Sequence, residues 1–257
     1  METALIPLLI TGFAAGLMDA AVGGGGLLQI PALFGILPAN TPLAAVLGIN
    51  KFAAATGTSV AAAQFALKIR VPWKLLLPAA AIAFTASYLG AKLASNVPAN
   101  HMKPAIFIIM TAMFAYTFRK KDLGQTVRET ALNTREYRTG LLFGALIGFY
   151  DGILGPGTGS LLSFAFVRFF AFDFLTASAS AKIINLATNL AALCYFAPNG
   201  HIVWQWALPL AAANLLGGIA GSALAIRGGA KFLRQGFMFL LLVLIGKFGL
   251  DIFMAAK

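Results

Sequence analysis

The sequence predicts an all-α membrane protein, a polytopic helix bundle built from two inverted-topology repeats. First, 60% of the residues are hydrophobic and only 11% are charged, so the chain cannot cover itself with a polar surface. Second, apolar blocks of helical length follow one another along the chain. Third, the same rare residues recur in both halves in one register, which is typical of transporters built from internal repeats.

The apolar blocks predict about ten helical pieces. In chain order these are residues 4–22, 27–37, 43–67, 74–95, 102–118, 139–154, 160–171, 174–196, 203–226 and 231–254. The second piece of each half is short. At about 1.5 Å per residue, eleven or twelve residues cover only part of a hydrocarbon core roughly 30 Å thick. We therefore predict about eight full spans, plus short broken or re-entrant helices at glycine-rich breaks.

Charge divides the chain and predicts its orientation. Residues 119–138 carry six Lys or Arg and three acidic residues, so we predict a cytoplasmic linker between a first transmembrane repeat, 1–118, and a second, 139–257. The loop at residues 68–74 is basic and its counterpart in the second half is not, which indicates inverted repeats. The net charge of +11 lies at the ends of apolar segments, so the expected partner is the lipid bilayer and not nucleic acid.

Two Asp/Lys sets repeat across the halves. Asp19 and Lys51 are matched by Asp151, 132 residues after Asp19, and by Lys182, 131 residues after Lys51. Chance does not place rare charged residues in one register, so the halves are an internal duplication. Charges inside hydrocarbon are costly and usually belong to a functional site.

Each aspartate is followed by a glycine-rich break. The first break consists of Gly23, Gly24, Gly25 and Gly26, and the second of Gly155, Pro156, Gly157, Thr158 and Gly159. Glycine allows a sharp turn and close approach of amide groups, and the helix that follows offers its positive end to an anion. We expect Ser160 to cap that helix and to offer a hydroxyl to a ligand. The alternative is that these glycines only permit close helix packing; we favour substrate binding at both breaks.

The two lysines lie beside amide side chains near the starts of long apolar helices. Asn50 precedes Lys51, and Asn185 and Asn189 share a helix face with Lys182. In one interpretation these cations and amides bind an anionic substrate. In the other, each lysine neutralises the aspartate of its own repeat in a buried ion pair, and both interpretations can hold in different states of a transport cycle.

Asp19 and Asp151 are each expected to form an ion pair with a lysine, because an unpaired carboxylate beside an anion site would repel the anion. A proton-coupling role is the alternative. The sequence contains no HExxH or GxSxG motif and no histidine within a predicted span, so we expect no enzyme, no catalytic residue, no metal site and no cofactor.

Four segments carry a resemblance to a known family. They are GLMDAAVGGGGLLQIPAL (16–33), NK (50–51), GFYDGILGPGTGSLLSFAF (148–166) and AKIINLATN (181–189). In order and spacing the chain resembles the TauE/SafE family of membrane proteins over nearly its whole length.

The resemblance implies a multi-pass transporter of the bacterial inner membrane. Its substrate would be a small sulfur-containing anion such as sulfite or an organosulfonate, moved by alternating access. A carrier of another small anion, such as a carboxylate, and an anion channel are the alternatives. A homodimer is compatible with the small-residue helix faces.

Overall fold

The computed structural model describes residues 2–96 and 132–228, with seven single positions elsewhere (108, 111, 112, 115, 119, 242 and 246). Within these residues the chain is all-helical, which confirms the predicted class. The eight helices are α1 (Glu2–Val22), α2 (Gly25–Ile36), α3 (Leu43–Lys68), α4 (Trp73–Ala94), α5 (Thr134–Ile153), α6 (Thr158–Phe170), α7 (Phe174–Phe196) and α8 (Trp204–Ile226).

Seven of these helices begin and end within two residues of the predicted pieces. The exception is α5, which begins at Thr134, five residues earlier than predicted and inside the predicted linker. The Asn133 side chain accepts a hydrogen bond from the Glu136 N–H, and the Glu136 carboxylate accepts one from the Asn133 N–H. This capping box starts the helix within polar sequence. The predicted pieces 102–118 and 231–254 lie outside the described ranges.

Helix length and composition support a membrane location. Among the described residues, α1 (from Ala4), α3, α4 and α8 are long and apolar enough to cross a membrane. Helices α2 and α6 are shorter apolar helices of 12 and 13 residues, as predicted. Large apolar side chains such as Ile6, Ile10, Leu208 and Leu216 are exposed on α1 and α8. An apolar outer face of this kind suits lipid contact.

The main helix–helix contacts are the same when the two repeats are exchanged. The first helix of each repeat packs on the last described helix of the other, α1 on α8 and α5 on α4. The third helices, α3 and α7, pack on each other, and each also packs on the last described helix of the other repeat. This pattern of contacts agrees with the duplication predicted from sequence, which stays a prediction. The inversion of the repeats across the membrane stays a prediction, because this exchange pattern is common to both orientations.

Equivalent glycines bring these helix pairs into close backbone contact. A Cβ placed on Gly90 of α4 would lie 2.3 Å from the Phe149 carbonyl oxygen of α5. A Cβ placed on Gly221 of α8 would lie 2.2 Å from the Leu17 carbonyl oxygen of α1. These glycines have the packing role that small residues have in membrane bundles.

Candidate functional site

Each glycine-rich break joins a long helix to a short one. The first break separates α1 from α2, and the second separates α5 from α6. Gly23, Gly155 and Gly157 have φ angles of +81°, +84° and +76°, in the left-handed region that glycine adopts without steric cost. The breaks are therefore sharp turns, and only glycine fits without strain at these three positions.

The two breaks contact each other. A Cβ on Gly23 would lie 2.2 Å from the Gly159 carbonyl carbon, and a Cβ on Gly159 would lie 2.6 Å from the Gly23 Cα. Gly26 lies against Pro156 and Gly155, since its Cβ would be 3.3 Å from the Pro156 Cα. The two halves of the chain therefore meet at their glycine-rich breaks. The contact is possible because glycine has no side chain.

Ser160 takes part in this contact, and the prediction that it caps α6 is wrong. The N-cap of α6 is Gly157, which makes no side-chain capping bond. The Ser160 N–H donates to the Gly23 carbonyl at 3.0 Å, and its hydroxyl donates to the Val22 carbonyl at 2.7 Å. The start of α6 thereby satisfies carbonyl groups at the end of α1, which have no partner within their own helix. In this conformation, both Ser160 donors are bonded to protein.

Each lysine forms an ion pair with the aspartate of the other repeat. Lys51 Nζ lies 2.7 Å from Asp151 Oδ2, and Lys182 Nζ lies 3.0 Å from Asp19 Oδ2. Pairing within a repeat, one of the two interpretations of the sequence, is therefore wrong. The contact between the breaks brings the aspartate of one repeat to the lysine of the other. The sequence of either repeat alone does not predict this pairing.

Both pairs have a buried lysine and hydroxyl support. Thr58 Oγ1 donates to Asp19 Oδ2 at 3.1 Å, and Thr158 Oγ1 donates to Asp151 Oδ1 at 2.6 Å. Both lysine side chains are 1% exposed. Such charges are stable only when an opposite charge and hydrogen bonds compensate them. The four charged residues thus form two compensated pairs at the junction of the breaks.

The predicted asparagines are buried beside the lysines on α3 and α7. Asn50, Asn185 and Asn189 are each at most 5% exposed. Among the described residues, the Asn50 Oδ1 accepts no hydrogen bond. The structure therefore gathers the two breaks, the aspartates and the lysines at one place. The asparagines are buried on the same helices as the lysines, and their role as ligands stays a prediction.

A buried amide relay next to the first break was not predicted. The Asn214 side chain of α8 donates to Gln29 Oε1 at 2.7 Å, and Gln29 Nε2 donates to the Asn50 carbonyl oxygen at 3.3 Å. Both Gln29 and Asn214 are polar residues within apolar helices, which is the same signal that identified the aspartates and lysines. The relay connects α8, α2 and α3 at the residue before Lys51.

Two further hydroxyl groups that support the site were also missed. The Tyr150 hydroxyl donates to the Pro156 carbonyl oxygen at 2.6 Å and braces the second break. Thr58, which donates to Asp19, lies seven residues after Lys51. Seven residues are two helical turns, so helix periodicity places Thr58 on the same face of α3 as Lys51. That spacing could have identified it.

Replacing Asp151 by Asn is expected to destabilise the protein by about 3–5 kcal/mol, because it leaves the Lys51 ammonium buried without a counter-ion. The free energy of unfolding can be measured in mixed micelles by circular dichroism. The double variant Lys51→Met with Asp151→Asn removes both charges and is expected to recover most of the loss. A single variant within about 1 kcal/mol of the unmodified protein would contradict the prediction.

Comparison with known proteins identifies relatives along most of the chain. The family model described as "Sulfite exporter TauE/SafE" matches residues 8–248. A probable membrane transporter protein of Haemophilus influenzae is 34% identical over 231 residues, covering 88% of this chain and 87% of that protein. The ORF9 probable membrane transporter protein of Sinorhizobium is 33% identical over 227 residues, covering 88% and 85%. The Escherichia coli probable membrane transporter protein YfcA is 31% identical over 229 residues, covering 88% and 82%. No solved structure matches the chain.

Proposed function

This chain belongs to the TauE/SafE family and is a multi-pass membrane transporter of that type, and we propose that its substrate is a small sulfur-containing anion. Sulfite and sulfonates are the candidates, and the family description supports this substrate class. We further propose that transport proceeds by alternating access across the bacterial inner membrane.

One observation carries the proposal: buried ammonium groups lie where the two breaks meet. A Cβ on Gly155 would lie only 3.2 Å from Lys51 Nζ, and Lys182 Nζ lies 3.0 Å from an Asp19 oxygen. Ammonium groups at low dielectric bind oxyanions through strong charge-assisted hydrogen bonds. An anion held at this junction would contact both repeats at once, which suits a carrier in which one repeat moves against the other.

The aspartates supply the charge compensation between transport events. A buried lysine without an anion needs a counter-ion, and Asp19 and Asp151 provide it from the opposite repeat. A substrate anion must then replace at least one aspartate as the counter-ion of its lysine, because a carboxylate and an oxyanion side by side repel each other. The same lysines thus pair with aspartates when no substrate is bound and with the substrate anion when it is bound.

Saturable transport of sulfite or methanesulfonate is expected when the purified protein is reconstituted into liposomes. The measurement is exchange of radiolabelled external anion for unlabelled internal anion, with acetate, malonate and chloride as competitors. Protein-free liposomes and liposomes with the Lys182→Ala variant are the controls. Exchange of carboxylates but not of sulfur anions would overturn the substrate class. Flux that never saturates would favour an anion channel.

A further inference from the structure

We infer that the two ion pairs have different roles. Asp19 is the internal counter-ion that the substrate anion displaces from Lys182, whereas Asp151 keeps Lys51 in a closed structural pair. The inference rests on the proposed anion transport and assigns the position of the anion within it. The pairs are equivalent in the repeat, so any difference between them comes from the residues around them.

The first difference is access. The Asp151 side chain is 2% exposed and the Asp19 side chain is 14% exposed, although both lysines are 1% exposed. An incoming anion can approach an ion pair only along an accessible edge. The carboxylate of Asp19 has such an edge and the carboxylate of Asp151 has almost none.

The second difference is how firmly each carboxylate is held. Asp151 has a close polar contact at each oxygen: Oδ2 lies 2.7 Å from Lys51 Nζ in the ion pair, and Oδ1 accepts a hydrogen bond from Thr158 at 2.6 Å. Thr158 belongs to the second break itself, and its equivalent in the first break, 132 residues earlier, is Gly26. The first break therefore has no hydroxyl at the matching position.

Asp19 is held by longer bonds that fall on one oxygen. Lys182 lies 3.0 Å from its Oδ2, and Thr58 donates to the same Oδ2 at 3.1 Å. A carboxylate contacted at one oxygen, at longer distances, costs less to displace than one contacted at both oxygens at short distances. The Asp19 pair is therefore the one that an anion opens at lower cost.

The third difference is that Lys182 has a second partner. Its ammonium also donates to the main-chain carbonyl of Asp19, in the last turn of α1, where the carbonyl end of the helix favours a cation. When the Asp19 carboxylate leaves, this bond keeps the ammonium beside the first break. An oxyanion can then replace the carboxylate while Lys182 stays in place.

Displacement makes Asp19 a competitor of the substrate, so removing its charge should tighten anion binding. The probe is methanesulfonate, and the readout is the concentration that gives half-maximal binding, obtained by fitting the rise in Tm of the purified protein against methanesulfonate concentration, at constant ionic strength set with sodium gluconate. For Asp19→Asn this concentration is expected to fall about tenfold, because the state able to bind is no longer the minor one. For the matched variant Asp151→Asn it is expected not to fall.

Two outcomes would overturn the inference: Asp19→Asn weakening methanesulfonate binding, or both variants tightening it equally. If Asp19→Asn does not fold, Thr58→Val and Thr158→Val decide, because Thr58 donates to Asp19 and Thr158 donates to Asp151. The Thr158 hydroxyl also lies 2.9 Å from the Gly155 carbonyl oxygen. Only Thr58→Val is expected to lower the half-maximal concentration, and equal effects would overturn the inference. If no sulfur anion stabilises the unmodified protein, the transport proposal fails, and this inference fails with it. If the unmodified protein is stabilised and the matched variants behave alike, only this inference fails.

Discussion

Replacing Lys182 by alanine is expected to lower the initial rate of anion exchange at least about thirtyfold. Truncating one member of a buried, hydrogen-bonded charge pair costs about 2–5 kcal/mol of binding, and 1.4 kcal/mol corresponds to a factor of ten. Lys182 is 1% exposed, so water cannot replace its ammonium as the partner of a bound oxyanion. The measurement is the exchange assay in liposomes, normalised to the amount of protein inserted.

The variant Lys182→Gln separates charge from hydrogen bonding at the same position. Glutamine keeps N–H donors but has no positive charge, so its exchange rate is expected to be nearly as low as that of Lys182→Ala. The double variant Lys182→Ala with Asp19→Asn tests whether the loss reflects misfolding, since it leaves no unpaired carboxylate. It is expected to regain thermal stability and not transport. Exchange above about a tenth of the original rate in a stably folded Lys182→Ala protein would exclude an essential role for the ammonium.

The helices could be predicted closely because their signals are local. Long apolar blocks bounded by proline, glycine and charged residues give helix length directly, and the duplication supplies a second copy of each boundary. The start of α5 was the exception, because residues 134–138 are polar and resemble the linker in composition. The Asn133 and Glu136 spacing of the capping box is the signal that identifies the boundary.

The site residues could be found, but their pairing could not. Asp19, Lys51, Asp151 and Lys182 stand out because charge is rare in apolar sequence. Which aspartate meets which lysine depends on how the breaks pack, and that packing joins residues 138 apart in the chain, as in the bond from Ser160 to Val22. A repeat pattern shows that the two Asp/Lys sets are equivalent. It does not show whether each aspartate pairs with the lysine of its own repeat or with the lysine of the other repeat.

The contact between the breaks gives the second large expected effect: Gly23→Ala should destabilise the protein by about 2–5 kcal/mol and abolish transport. The new Cβ would lie 2.2 Å from the Gly159 carbonyl carbon, where backbone and not a flexible side chain would have to move, at about 1–3 kcal/mol for overpacking. A φ of +81° adds roughly 1–2 kcal/mol for an L-residue. The measurements are unfolding in mixed micelles and anion exchange in liposomes.

Two matched variants separate these contributions. Gly200, between α7 and α8, has a φ of +71° and open space around its Cβ position, so Gly200→Ala has the backbone cost alone. Gly159→Ala meets Gly23 from the other side at 2.6 Å within a helix, so it has the steric cost alone. The loss should be largest for Gly23→Ala, and each control should lose less. Full stability and full transport in Gly159→Ala would show that the breaks need not touch. If Gly159→Ala is instead fully stable but does not transport, the contact is dispensable for folding and is needed for movement of the repeats.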